Sequence, residues 1–188
     1  MTVLTPSDPV SAYNLVLAMA EHPSACCLRA VRGDLPILYP ESERFPFGGH
    51  KVVRHAESDR PAIVLAASGY LVHSCLKAAD ALRPLGIATT VVDAYALPLD
   101  AAPMLELAHS AGAPILSVED SYVGGIGSEI AEAAAASVDS PRVRMLFVRN
   151  IPKSGRTAED VLAYVHLSVA EIVQAAKTLT RQHAPARS

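Results

Sequence analysis

The feature that most constrains this chain is an alternation running from residue 62 to residue 148. Short, continuous apolar runs at Ala62–Ala67, Thr89–Ala94, Pro114–Val118 and Val143–Val148 are separated by stretches with helical spacing. In the first of these stretches Leu71, Val72, Cys75, Leu76, Ala79 and Leu82 share one side of a helix. A strand that is apolar along its whole length has both faces buried, and strands joined through helices run parallel. The expectation is an α/β fold in three layers, a mostly parallel sheet flanked by helices. The helices are placed at Leu71–Leu85, at Ala101–Ala111 and near Gly127–Ser137.

The flanking segments read differently. Asp8 followed by Pro9 is a helix start, with a side-chain oxygen to cap free amides and a ring pre-set for the first turn, and this helix runs to about Glu21. Ala25–Val31 reads as a short buried strand that delivers Arg32 at its carboxyl end. From Gly33 to Gly49 the chain carries three prolines, three glycines, Tyr39, Phe45 and Phe47 without a period. That composition predicts an ordered crossing segment, and a domain boundary is placed in it. A last helix begins at Ser168, where Glu171 completes a capping box, and His183–Ser188 reads as a frayed, disordered tail. No repeat is present.

A chain of 188 residues supports one sizeable core, or one domain with a leading piece of another. Its 51% hydrophobic and 19% charged residues argue for a buried globular fold against disorder. The formal charge of −3 leaves no electrostatic footprint for nucleic acid, so a small molecule or a protein is the expected partner. Cys26, Cys27 and Cys75 are an odd set without C-x-x-C or metal-ligand spacing and read as buried, reduced thiols. No run approaches the roughly 18 apolar residues of a membrane span, and Met1–Pro6 has no signal-peptide pattern. No membrane association and a cytoplasmic location are expected.

Several motifs invite a chemical reading. Gly124-Gly125-Ile126-Gly127-Ser128 follows a strand and opens a helix, where backbone amides can cradle an anion. The spacing is neither the dinucleotide fingerprint nor a Walker loop, so structural punctuation is preferred. Glu119 and Asp120 end the preceding strand, where open α/β sheets place functional groups. Neighbouring residues of an extended chain point to opposite faces, which favours capping or interface contacts over a catalytic carboxylate pair. Ser68-Gly69 with His73 lacks the G-x-S-x-G elbow of a serine hydrolase. His73 reads as packing or surface, and His109, His166 and His183 have no partners in sequence. Arg29 and Arg32 flank a strand end and offer a planar fork to phosphate or carboxylate, the alternative being an ion pair with Asp34 or Glu41.

In order along the chain, Thr5-Pro6-Ser7-Asp8, Arg29-Ala30-Val31-Arg32, Gly48-Gly49-His50-Lys51-Val52-Val53, Asp93–Asp100, Val118-Glu119-Asp120-Ser121-Tyr122 with Gly124–Gly127, and Val148–Gly155 resemble the C-terminal portion of transketolases. The likeness is greater to the animal type than to the yeast type. It implies that residues 1–40 are the end of a pyrimidine-binding domain and residues 41–182 a transketolase C-terminal domain. The implied reaction is transfer of a two-carbon ketol unit between sugar phosphates, with thiamine diphosphate and a divalent cation, Mg, in the assembled enzyme. By the same resemblance Arg32 matches the arginine that binds the substrate phosphate, and it is the single family site residue present. The Gly-Asp-Gly cofactor motif, the activating glutamate and the Asp-Gly-x-Thr-His stretch are absent. No catalytic, cofactor-binding or metal-binding residue is therefore assigned, and the isolated chain is expected to be inactive. A partner chain with the cofactor domains, in a homo- or hetero-oligomer, is implied, and the Met1 start suits a split component, a mis-called gene start or a remnant. A non-catalytic assembly module, and a subunit of a 2-oxoacid dehydrogenase or deoxyxylulose phosphate synthase type enzyme, are the alternatives. His166 departs from the family, which has a small residue there.

Overall fold

Every residue of the strand Ile63–Ala67 is buried, and its side chains alternate between two cores. Ile63, Leu65 and Ala67 face one cluster, Val64 and Ala66 the other. This is the period of two expected of a strand covered on both sides. The computed structural model describes residues 1–57 and 62–183. In chain order the strands are β1 (Thr2–Leu4), β2 (Cys26–Leu28), β3 (Lys51–Arg54), β4 (Ile63–Ala67), β5 (Thr89–Asp93), β6 (Ala96–Leu97), β7 (Ile115–Val118) and β8 (Val143–Leu146). The helices are α1 (Pro9–Glu21), α2 (Tyr70–Leu82), α3 (Ala102–Ala111), α4 (Ile126–Ala135), α5 (Ala158–Tyr164) and α6 (Val169–His183).

The main sheet has the order β3-β5-β4-β7-β8, parallel throughout except for β3, which is antiparallel to β5. Leu71, Val72, Cys75 and Leu82 of α2 and Ile172, Ala176 and Leu179 of α6 cover one face. Met104 and Ala108 of α3 and Ile126 and Ile130 of α4 cover the other. The three-layer, mostly parallel α/β fold is therefore present. A second, smaller sheet has the order β2-β1-β6, with β1 parallel to β2 and antiparallel to β6.

Local signals act as expected at two helix starts. Ser11 N–H donates to Asp8 Oδ1 at 2.6 Å, capping α1. Ser168 N–H donates to Glu171 Oε2 at 3.0 Å and Glu171 N–H to Ser168 Oγ at 3.4 Å, closing the box on α6.

Four readings are corrected. The Ala25–Val31 strand shrinks to β2, because after Leu28 the chain leaves the sheet and Ala30, Val31 and Arg32 are exposed. The helix read to Leu85 stops at Leu82, where Pro84 sits in a 3₁₀ turn at Arg83–Leu85. The thiols are not uniformly buried: Cys75 is, Cys26 is half-buried and Cys27 is exposed. His183 closes α6, its Nε2 2.8 Å from the Gly112 carbonyl oxygen, and residues 184–188 of the expected tail lie outside the described residues. The strands β1, β3 and β6 and the helix α5 had no counterpart in the sequence reading. Among the described residues no helix is long and apolar enough to cross a membrane.

Candidate functional site

The carboxyl ends of β4, β5 and β7 meet the N-terminal unit, and polar residues from both sides hold the junction. Asp93, the last residue of β5, is fully buried. Its Oδ2 accepts from the Ser7 hydroxyl and, at 2.7 Å, from the Tyr39 hydroxyl, while Oδ1 has no partner among the described residues. Burial pushes the Asp93 carboxyl up to about 7, with the two hydroxyls pulling it down and nearby Asp8 raising it. Asp8 spends its second oxygen on the amides of Leu38 and Tyr39, at 2.8 and 3.1 Å, so the cap of α1 also pins the crossing segment. His73 Nε2 lies 2.6 Å from the Ser7 carbonyl oxygen, which gives this buried α2 histidine a structural role.

Glu119 and Asp120 turn to opposite tasks. Glu119 is buried against the glycine turn, where the amides of Ile126 and Gly127 and the Ser121 hydroxyl act on its carboxyl. Desolvation outweighs them and raises its affinity for a proton. A Cβ at Gly125 would overlap both Glu119 oxygens, and one at Gly127 would strike Ser117 Oγ and Met145. The anion cradle offered by the glycine turn is thus filled by the chain's own carboxylate, and the glycines let strand, turn and helix close together. Asp120 instead reaches across to the N-terminal unit. Arg29 Nη1 donates to Asp120 Oδ1 at 2.8 Å and Nη2 to the Asp120 carbonyl oxygen at 3.2 Å. This contact raises the pKa of Arg29.

Arg29 is thereby engaged, whereas Arg32 is exposed and takes part in no ion pair among the described residues, so neither Asp34 nor Glu41 occupies it. Arg32 lies beyond the end of β2 on a loop, not on the strand, at a cavity of about 530 Å³. Val31, Leu35, Tyr70, Val148, Leu162 and Val165 supply its apolar wall, with Asp34, Asp120 and Glu159 as further charged lining. Arg32 is the residue there with a free guanidinium fork, suited to a phosphate or carboxylate. The helix α5 that closes this cavity was missed because its seven residues, Ala158–Tyr164, fully bury none of their side chains and leave only Val161 and Leu162 half-buried. Its Thr157 and Asp160 caps were the available signal.

Comparison with known proteins places this geometry. Residues 51–172 match the transketolase C-terminal domain. The chain belongs to that family. It is 34% identical over 181 residues to human transketolase-like protein 2 and 34% identical over 180 residues to mouse transketolase, covering 95% of this chain each time. It spans 28% of the length of either relative. Among solved structures, a split-gene transketolase described as an inactive β4 tetramer superposes with a TM-score of 0.87 at 26% identity, over 98% of this chain and 59% of that one. Transketolase from Leishmania mexicana, at 18% identity, shares the fold, with a TM-score of 0.70 over 100% of this chain and 26% of its own.

The transketolase cofactor finds no built site among the described residues. Among the described residues no group of three or more His, Cys, Asp or Glu side chains is placed to hold a metal, and the glycine turn ahead of α4 is filled by Glu119.

Proposed function

We propose that this chain is the C-terminal component of a transketolase-type transferase, acting with a partner chain that carries the thiamine diphosphate and magnesium domains. Residues 1–40 then close a pyrimidine-type unit and residues 41–182 form the C-terminal domain. Arg32 binds the phosphate of the sugar substrate through its guanidinium fork. The observation that carries this reading is the likeness to a split-gene transketolase over 98% of the chain.

The N-terminal unit supports the need for a partner. Parallel strands are normally covered on both faces, yet β2 has no partner on its outer edge among the described residues and Cys27 is exposed. Helix α1 carries a single charged residue, Glu21, and leaves Tyr13, Val16 and Leu17 at least half exposed. An apolar surface of that kind marks an interface.

The test is reconstitution. This chain is mixed with a candidate partner bearing the Gly-Asp-Gly motif, thiamine diphosphate and magnesium, and ketol transfer between sugar phosphates is assayed. Activity of the pair with neither chain active alone is the expected result. Complex formation without turnover would identify an assembly module, and turnover of 2-oxoacids in its place would assign the chain to the dehydrogenase branch. In the active pair, Arg32→Ala should raise KM for phosphorylated substrates by a lost charged contact, about 1.5–3 kcal/mol. An unchanged KM would remove Arg32 from the site.

A further inference from the structure

The stretch Pro141–Arg156 carries five basic residues, Arg142, Arg144, Arg149, Lys153 and Arg156, and no acidic one. The other 11 of the 16 Lys and Arg stand against all 19 Asp and Glu, so the overall charge of −3 conceals a local positive strip. All five side chains are exposed, and none joins an ion pair among the described residues. Arg149 lies over the Phe147 ring at 4.4 Å from its centroid and Lys153 over the Tyr164 ring at 5.5 Å, which holds both charges near the surface. Ile151 between them is 82% exposed.

This strip begins along β8 and runs on past its end; β8 is the last strand of the order β3-β5-β4-β7-β8 and is paired on one side only among the described residues. Its other side presents unpaired backbone groups, a template for an added strand. Arg142 and Arg144 are two residues apart, so they project to the same face, roughly 6.6 Å from each other along the strand. Alternate residues of a strand laid alongside repeat at the same interval.

We propose that the free edge of β8 is a docking strip for an extended acidic segment of a partner protein, which pairs with β8 and sets alternate carboxylates against Arg142 and Arg144, with Arg149 beyond the strand end. A second copy of this chain does not suit the strip, because edge-to-edge pairing would bring the arginines of both copies together. The matching repeat favours a peptide strand over a nucleic acid, whose backbone offers β8 no ladder partner. Val148 and Pro152 of this stretch also line the Arg32 cavity, but pairing along β8 does not involve Arg32 and stands whether or not Arg32 binds phosphate.

The test uses the intact chain and fluorescence anisotropy with a labelled peptide of alternating Glu and Thr. Binding is expected, weakened at least about tenfold when salt rises from about 20 to 300 mM. R142E/R144E, changed at exposed positions, should lose at least about tenfold in affinity; if circular dichroism shows that this variant is not folded, R142Q/R144Q replaces it. N-methylation of alternate peptide amides should cost as much, since it removes ladder donors. Absence of binding at low salt, equal binding of a Lys-Thr peptide, indifference to N-methylation, or equally tight binding of oligothymidine would each overturn the proposal.

Discussion

Replacing Asp93 with asparagine should flatten the pH dependence of this protein's stability. The wild-type carboxyl is fully buried at the seam between the two sheets, and desolvation lifts it from an ordinary 3.8 to about 7. A raised folded-state pKa means that the native state holds the proton more tightly than the unfolded chain. Its favourable contribution is complete below about 3.8 and is lost as pH climbs through about 7. Three units at 1.36 kcal/mol each give about 4 kcal/mol as the upper limit of that loss. Asparagine cannot ionise, yet its carbonyl oxygen still accepts from Ser7 and Tyr39, and its amide falls where Oδ1 already lacks a partner. Urea denaturation of both proteins at about pH 5, 6, 7 and 8 gives the difference in unfolding free energy. The wild type should lose stability relative to Asp93→Asn as pH rises, by a few kcal/mol across that range. Tyr39→Phe removes a hydroxyl that favours the ionised form, and should move the midpoint of the slope upward. Parallel wild-type and Asp93→Asn profiles would refute the reasoning, because they would mean that Asp93 titrates at the same pH folded and unfolded.

Two further substitutions probe the backbone. Gly125→Ala has a permitted φ of −93°, so its cost is steric: the new Cβ displaces the Glu119 carboxylate from the start of α4, and about 2–4 kcal/mol of stability should be lost in thermal or urea unfolding. His166 sits at φ 61° and its ring is exposed, bonded through Nδ1 to Glu171 at 2.7 Å. His166→Gly should therefore stabilise the protein by about 0.5–1 kcal/mol, since relief of the left-handed strain exceeds the value of an exposed side-chain contact, and a lowered Tm would contradict this.

The central sheet was legible because its strands are short, mostly apolar runs separated by helices, so one alternation gives both element type and layer order. The three-residue β1 and the two-residue β6 carry no period at all. They exist because Val3 and Leu4 find Leu97 and Ala96 across a distance in sequence that no local signal spans. Arg29 and Arg32 looked alike in sequence, both flanking a strand end. What separates them is Asp120, 91 residues away, which engages one and leaves the other free. The chain-wide charge likewise hid the basic strip, since an average over 188 residues cannot report a segment of opposite sign.

In open parallel sheets the carboxyl ends of the strands ordinarily face a ligand. Here Asp93 at the end of β5 and Asp120 after β7 turn those positions to holding the N-terminal unit, through Ser7 and Tyr39 in one case and Arg29 in the other. The loop bearing Arg32 begins at the anchored Arg29 and ends at Leu38 and Tyr39, whose amides are anchored by Asp8. Both ends are thus fixed by buried or cross-unit carboxylates, while the loop between them, with Arg32 on it, stays exposed. A guanidinium held in this way is positioned by the fold and free to take an anion, which supports the phosphate-binding role proposed for Arg32.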